Sequence, residues 1–375
     1  MKNKTFHIDR NALQNRKVQQ SEKPQTKPAE KLKLKKSRRV MAVLSLLILT
    51  TFGFGALSNW RSLPSASNAQ PAGTPPAMPA NLPGKEYVYA GSALISTVEP
   101  FREAPSDLAV WRPSSGIWYI LNSVEQMVTQ PWGLGNDIPA PGDFDGDGKT
   151  DFCVYRRSTA TWYLINSSNG SIQYIPYGTA EDIPAVADFD GDSKADIAIW
   201  RPSNQTWYIR QSSNGASIST VFGTIGDKPV PADFDGDGRA DLVIWRNNTA
   251  TFWVQQSATN QAVSYSIGQT GDEPVIGDYD GDGKADYATR RGSDNYWRIR
   301  YSTDGSLTGL NWGLTSDIAV PGRYNDSADS DAKADIAVWR PSTGVWYIRR
   351  SSDGSMRATA WGMNGDIPVP ANWRR

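Results

Sequence analysis

Four aspartates within nine residues form the first stretch of this sequence whose residue types could do chemistry. The segment DFDGDGKTD, residues 143–151, places carboxylates at Asp143, Asp145, Asp147 and Asp151. Carboxylates this close repel one another, so the pattern favours a bound cation over an acidic solvated turn. Calcium takes six to eight oxygen ligands at about 2.3–2.6 Å, and alternate aspartates with one backbone carbonyl supply such oxygens. The intervening glycines permit the sharp backbone that such a loop needs.

The same pattern recurs three more times along the chain. DFDGDSKAD begins at Asp188, DFDGDGRAD at Asp233 and DYDGDGKAD at Asp278. Four copies exclude coincidence, so the sequence predicts a set of metal loops that belong to a repeating structure.

An internal repeat of about 45 residues organises the second part of the chain. The motif D-x-A-V-W-R-P-S, with substitutions, starts at Asp107, Asp151, Asp196, Asp241, Asp286 and Asp335. Each repeat contains four short apolar or β-branched runs bounded by Gly, Ser, Asp and Pro, which indicate strands. Four strands in one such repeat match a propeller blade. Residues 85–375 are therefore predicted to form an all-β, six-bladed β-propeller.

The two ends of the repeat region complement each other. The first repeat begins abruptly at DLAVWRPSSGIWYI and lacks the half that precedes this motif in the other repeats. The C-terminal WGMNGDIPVPANWRR supplies that half and then stops. We therefore expect both termini to share the first blade and to close the ring, which removes free strand edges between the ends.

Charge is distributed unevenly along this 375-residue chain, although its formal net charge is zero. Residues 1–39 hold 13 Lys and Arg against 3 Asp and Glu, whereas the remainder holds 26 against 36. An acidic body repels phosphates, so the composition argues against a nucleic-acid partner.

The uncharged segment 40–58 follows the basic tail directly. Its run VMAVLSLLILTTFGFGAL has 18 residues, the minimum length of a membrane-spanning helix. The adjacent Lys and Arg residues place the 1–39 tail in the cytoplasm. The alternative is a cleaved signal peptide, since small residues follow in SASNAQ. Residues 59–84 are rich in Pro, Ala and Ser and form an extended linker. Both interpretations export the body, either as a single-pass membrane protein facing the periplasm or cell surface, or as a secreted protein.

One string in the repeat resembles a known family. F-G-x-x-x-D-x-P-x-x-x-D-F-D-G-D-G-x-x-D-x-x-x-W-R-P, read from Phe222 with some substitution, is similar to the FG-GAP repeat. That repeat occurs in the integrin α-subunit head and in many bacterial surface proteins, often as the related VCBS repeat. The resemblance covers roughly residues 107–375. It implies a propeller in which each aspartate loop binds calcium and pins two strands of one blade.

Carried onto this sequence, the resemblance implies about four calcium sites. The implied metal ligands are Asp143, Asp145, Asp147, Asp151, Asp188, Asp190, Asp192, Asp196, Asp233, Asp235, Asp237, Asp241, Asp278, Asp280, Asp282 and Asp286. The fifth copy, RYNDSADSDAKAD, has an insertion and keeps Asp329, Asp331 and Asp335, but Ser327 takes the first position. Metal binding by this degenerate loop is left open. The sixth copy, ANWRR, has no carboxylate.

Two recurring residue types allow a ligand role or a structural role. One arginine per repeat could line six equivalent ligand sites, but a structural pair with a nearby aspartate, such as Asp182 or Asp227, is favoured. These arginines are Arg112, Arg156, Arg201, Arg246, Arg291 and Arg340. The 15 Trp and 15 Tyr residues could stack on sugars, yet their strict period favours packing between blades.

The sequence offers few catalytic groups in the exported region. Its single histidine, His7, lies in the basic tail, so the body has no His general base and no Ser-His-Asp triad. The single cysteine, Cys153, stands where other repeats have Ala or Val and is predicted to be core. We predict no catalytic residue and no cofactor besides calcium.

The favoured function is binding or adhesion to an extracellular protein or carbohydrate. The alternatives are a lectin with sugar sites repeated around the ring, and a glycan-cleaving enzyme with an Asp/Glu pair assembled across loops. The oligomeric state is left open.

Overall fold

The computed structural model describes residues 86–90, 93–98, 106–122, 125–324 and 331–371. The predicted tail, apolar segment and linker, residues 1–84, lie outside the described residues. In the described part of the chain, no helix is long and apolar enough to cross a membrane. The first two strands, β1 (Glu86–Ala90) and β2 (Ala93–Val98), pair antiparallel with each other.

The remaining strands form six antiparallel sheets of four strands each, which confirms the predicted six-bladed β-propeller. Blade 1 combines β26 (Ile367–Pro368) with β3 (Leu108–Arg112), β4 (Ile117–Leu121) and β5 (Met127–Pro131). Blade 2 contains β6 (Ile138–Pro139), β7 (Phe152–Arg156), β8 (Thr161–Ile165) and β9 (Ile172–Pro176). Blade 3 contains β10 (Ile183–Pro184), β11 (Ile197–Arg201), β12 (Thr206–Arg210) and β13 (Ser217–Val221).

Blades 4 to 6 repeat the same order of one short and three longer strands. Blade 4 contains β14 (Lys228–Pro229), β15 (Leu242–Arg246), β16 (Thr251–Gln255) and β17 (Ala262–Ser266). Blade 5 contains β18 (Glu273–Pro274), β19 (Tyr287–Arg291), β20 (Tyr296–Arg300) and β21 (Leu307–Asn311). Blade 6 contains β22 (Ile318–Ala319), β23 (Ile336–Arg340), β24 (Val345–Arg349) and β25 (Met356–Ala360).

The C-terminus closes the ring through blade 1, as the two partial repeats predict. Strand β26 pairs with β3, so that Ile367 lies opposite Trp111. Farther along, the Asp107 N–H donates to the Ala371 carbonyl at 2.9 Å. The indole Nε1 of Trp361 in blade 6 donates to the Tyr119 carbonyl in blade 1 at 3.1 Å. Backbone pairing and an indole hydrogen bond therefore join the two ends of the propeller.

The repeated aromatic residues of the third strand form the core. Their side chains are fully buried at Trp118, Trp162, Trp207, Phe252, Trp297 and Trp346. Most of the indoles also satisfy their N–H; Trp118, for example, donates to the Trp132 carbonyl at 2.9 Å. This arrangement confirms core packing for these residues. Cys153 is buried in the cluster between blades 2 and 3, as expected for a small core residue.

The antiparallel order of each blade separates its connections into two sets, one at each end of the strands. The first set holds the aspartate loops and the turns between third and fourth strands; we call this end the Asp-loop face. The second set holds the turns between second and third strands and the links to the next blade. Because the recurring arginines meet aspartates there, we call this end the Arg–Asp face.

Candidate functional site

The first aspartate of each loop is held by backbone N–H groups of its own loop. Asp143 accepts from the Gly146 N–H at 2.6 Å and from the Gly148 N–H at 2.8 Å. Both glycines have a φ of +80°, the left-handed region that L side chains rarely adopt. Asp188, Asp233 and Asp278 repeat these two bonds. The glycines therefore serve the curvature that the sequence pattern predicts, although Ser193 adopts the same conformation with a φ of +66°.

The last aspartate ties the loop to the neighbouring turn of the same blade. Asp151 is fully buried and accepts from the Phe144 N–H at 2.8 Å and from the Ser167 N–H at 2.5 Å. Ser167 lies in the turn between β8 and β9, whereas the loop itself joins β6 to β7. One carboxylate therefore connects two chain reversals at the Asp-loop face. Asp196, Asp241 and Asp286 make equivalent bonds.

Two hydroxyl positions of that turn bind the middle aspartates, and sequence reasoning missed them. The Ser168 hydroxyl donates to Asp145 at 2.6 Å, and the Ser167 hydroxyl donates to Asp147 at 2.8 Å. Ser212, Ser257 and Ser302 repeat the contact of Ser167. The sequence does contain a Ser at the same position after the third strand of each repeat, but serine is also common in ordinary turns.

Three carboxylates converge in each of four loops. Within each group the candidate ligand atoms all lie within 4.8 Å of one another. The groups are Asp143, Asp145 and Asp151; Asp188, Asp190 and Asp196; Asp233, Asp235 and Asp241; and Asp278, Asp280 and Asp282. The predicted ligands Asp147, Asp192, Asp237 and Asp286 lie in the same loops but outside these groups. The arrangement could hold one metal ion per loop.

Burial makes these carboxylates costly to ionise without a cation. Desolvation raises the pKa of Asp151 to about 7, and the charge of Asp145 adds to the increase. Desolvation likewise raises the pKa of Asp196, Asp241, Asp278 and Asp286 to about 7. A divalent cation would favour the charged form of each group. Oxygen-only donors in a flexible loop are the type of ligand that calcium accepts, so the residues present fit this ion.

Neighbouring loops are connected around the ring. The Asp143 carbonyl accepts from the Ala195 N–H of the next loop at 2.6 Å. The Lys194 stem packs over Gly146, with its Cε 2.9 Å from the position that an added Cβ would occupy. Carbonyls of Asp188, Asp233 and Asp278 accept from Ala240, Ala285 and Ala334 in the same way. Each acidic loop therefore meets a backbone donor and, over its glycine, a basic side chain from the following blade.

The degenerate fifth loop keeps only part of this arrangement in the described residues. Asp335 accepts from the Tyr324 N–H at 3.0 Å and from the Ser351 N–H at 2.8 Å. Asp331 accepts from the Ser351 hydroxyl at 3.0 Å. Asp329 and Ser327 lie outside the described residues. The hydrogen bonds between the loop and the neighbouring turn are thus kept at Asp331 and Asp335, the third and fourth aspartate positions of the loop.

Each recurring arginine at the other face forms a two-point pair with an aspartate, as the structural interpretation predicts. Arg201 places Nε 2.8 Å from Oδ1 of Asp182 and Nη2 2.9 Å from Oδ2. The other pairs are Arg112–Asp366, Arg156–Asp137, Arg246–Asp227, Arg291–Asp272 and Arg340–Asp317. The guanidinium of Arg201 also lies over the Tyr208 ring, 4.4 Å from its centroid. These arginines are therefore engaged within their own blades.

The Arg–Asp face otherwise carries little charge. Outside the six pairs, the charged residues in its loops are Arg157, Glu181 and Asp294. Four loops that link one blade to the next expose a large apolar side chain at Leu134, Ile225, Leu314 and Met363. Ile225 is the most exposed of them, at 80%. These residues could not be predicted from the sequence, because a single apolar residue in a loop carries no periodic signal.

Comparison with known proteins identifies the repeats. A family model described as FG-GAP-like repeat matches residues 143–199, 188–244 and 233–289. No curated protein matches the chain. Among solved structures, TolB from Acinetobacter baumannii has a TM-score of 0.51 at 16% identity, over 73% of this chain and 67% of that chain. At this identity the likeness shows the fold alone.

Two further solved structures are similar at lower scores. An Agrocybe aegerita lectin, whose structure concerns recognition of non-reducing terminal N-acetylglucosamine, has a TM-score of 0.49 at 13% identity, over 73% of this chain and 79% of that chain. Virginiamycin B lyase from Staphylococcus aureus has a TM-score of 0.45 at 11% identity, over 72% of this chain and 88% of that chain.

Proposed function

Because this chain is a β-propeller of FG-GAP-like repeats, we propose that it is a calcium-stabilised binding module that works outside the cytoplasmic membrane. Its partner is an extracellular protein, which it engages through the Arg–Asp face. A carbohydrate ligand is the second candidate, and a separate cavity between blades 2 and 3 favours it.

The observation that carries this proposal is the composition of the Arg–Asp face. Protein interaction sites expose apolar side chains within a polar rim. Here Leu134, Ile225, Leu314 and Met363 are spread over four of the six links between blades, among Ser, Thr, Asn and Gly residues. The six arginines are paired with aspartates of their own blades, so a partner that covers them leaves none of these six buried without a counter-ion.

The two ends of the described propeller meet at the Asp-loop face. Asp107 and Ala371 pair at the Asp-loop face, and the Ser106 N–H donates to the Arg323 carbonyl beside the fifth loop.

Calcium is proposed as a structural ion in this module. Bound in the four intact loops, it would supply positive charge where three carboxylates converge. Ser167 and its equivalents hold the loop against the neighbouring turn, and the glycines permit its curvature. No residue is proposed to be catalytic.

Two variants of the full-length chain test the binding face. Ile225→Glu with Leu314→Glu places charge on the Arg–Asp face, whereas Leu307→Glu changes an outer strand, where the side chain is 66% exposed. Each protein is screened in detergent against an array of secreted and surface proteins and glycans. We expect specific protein binding that the double variant abolishes and Leu307→Glu retains, with unchanged melting temperatures. No protein binding, or equal binding by both variants, would contradict the proposal.

Protease added to spheroplasts tests the location independently. Export predicts digestion of residues 85–375 and protection of the 1–39 tail if residues 40–58 are an uncleaved anchor. Protection of the propeller would overturn the topology.

A further inference from the structure

A cavity of about 150 Å³ opens between blades 2 and 3 at the Asp-loop end of the strands, where Phe144, Ala195 and Ser212 belong to its lining. Its apolar wall contains Leu164 and Ile175 from blade 2 and Ile197 from blade 3. Its polar rim contains Gln173, Arg210 and Gln211. A cavity of this volume holds one six-membered ring.

The equivalent space between blades 4 and 5 is filled by side chains of the chain itself. Tyr265 occupies the strand position of Ile175, and Tyr287 occupies that of Ile197. The two tyrosine rings stack with centroids 5.1 Å apart, and Arg300 lies 4.4 Å above the Tyr265 centroid. The same backbone thus accommodates two aromatic rings at this position, and the cavity exists because blades 2 and 3 carry isoleucine there.

Arg210 in blade 3 occupies the same strand position as Arg300 in blade 5, but its surroundings differ. Arg300 covers a tyrosine ring, whereas Arg210 is half-buried at the cavity rim and forms no ion pair or hydrogen bond with the described residues. A guanidinium presents several N–H donors in a planar fork that matches a carboxylate. Gln173 and Gln211 add amide donors and acceptors beside it.

We propose that this cavity binds a hexuronic acid unit, a six-membered sugar ring that carries a carboxylate. The ring lies against Ile175 and Ile197 with its C–H face, the carboxylate pairs with Arg210, and the hydroxyls bond to the two glutamines. A neutral sugar would leave Arg210 without a counter-ion, whereas a carboxylate on the ring supplies one. This site lies apart from the proposed protein-binding face, so either can fail without the other.

The test measures binding of glucuronate, glucose and benzoate to the full-length chain by calorimetry in the presence of calcium. Glucose has the ring and hydroxyls without the carboxylate, and benzoate has a ring and carboxylate without hydroxyls. We expect glucuronate to bind at least tenfold more tightly than either. Benzoate or glucose binding as tightly as glucuronate would overturn the proposed ligand.

Variants taken from the chain's own repeats locate the site. Ile175→Tyr with Ile197→Tyr copies blades 4 and 5 and should abolish binding by filling the cavity. Arg210→Gln copies Gln255 of blade 4 and should weaken glucuronate at least tenfold while leaving glucose unchanged. Arg300→Gln is the matched control and should have no effect. Undetectable glucuronate binding to the wild type, or undiminished binding to the filled variant at an unchanged melting temperature, would refute the proposal.

Discussion

Both faces of the propeller bury aspartate side chains, but the negative charge is compensated differently at each face, as blade 3 illustrates. At the Arg–Asp face, Asp182 is fully buried and pairs with Arg201 at 2.8 Å. At the Asp-loop face, Asp196 is equally buried but accepts hydrogen bonds from the neutral residues Phe189 and Ser212, and burial raises its pKa to about 7. One carboxylate receives a cation from its own chain, and the other lies in a group suited to a cation from solution.

The two ends of the same strands therefore differ in their dependence on a bound ion. Each recurring aspartate of the Arg–Asp face has its cation within the chain, so this face needs no bound ion. The Asp-loop face gathers charge that is favourable only when it is compensated. We therefore expect calcium to govern stability from one face and arginine pairs to govern it from the other.

The largest loss of stability should come from removing β26, which has Asp366 at its Arg–Asp end and Ala371 at its Asp-loop end. Truncation after Met363 deletes Asp366, the partner of Arg112, as well as β26 and Ala371. We expect no cooperative melting and rapid proteolysis, because the ring opens and exposes two strand edges. Circular dichroism melting and limited proteolysis measure this. A truncated protein with native melting behaviour would show that ring closure is dispensable.

Calcium removal should have the next largest effect. At a free calcium concentration ten times the dissociation constant, each site adds about 1.4 kcal/mol to the free energy of unfolding. Four sites should produce a melting temperature that rises with calcium and falls with chelator. Magnesium should substitute poorly, because it demands a tighter octahedral shell. The same melting temperature in chelator and in millimolar calcium would refute structural calcium sites.

Breaking one arginine pair should lower stability whether or not calcium is present. Arg201→Ala leaves the buried Asp182 carboxylate without its cation, which costs about 3 kcal/mol. Arg157→Ala is the control, since Arg157 is exposed on the same face and should change stability by no more than about 0.5 kcal/mol. Chemical denaturation with calcium and with chelator measures both. A loss that appears only in chelator would contradict the independence of the two faces.

The smallest change in stability should come from single substitutions within one loop, which distinguish carboxylates that bind calcium from those that do not. Asp145→Ala removes a member of the first converging group, so we expect it to abolish one of four calcium-binding events, worth about 1.4 kcal/mol under the conditions above. Asp147→Ala changes an aspartate outside that group and should retain most of the response. Calorimetric stoichiometry distinguishes the two variants. Equal loss in both would show that Asp147 is also a metal ligand.

Local pattern was sufficient to predict much of the architecture. The strand-forming runs, the six repeats and the split first blade could be predicted because hydrophobic period and turn residues act within a few positions of one another. The aspartate loops are also local, since Gly146 and Gly148 lie within the loop that they shape. The pairing of Arg201 with Asp182 was expected from their recurrence, although their geometry was not.

Only the tertiary structure decided which distant groups meet. The sequence by itself determined where carboxylates concentrate, but packing of the loop against the turn after β8 decided that Ser167 and Ser168 bind them. Likewise, Ile175 and Tyr265 are both ordinary strand residues, and only the contact between neighbouring blades shows that one leaves a cavity and the other fills it. Contacts between blades depend on volume and shape across separate sheets, which no periodicity along a single strand records.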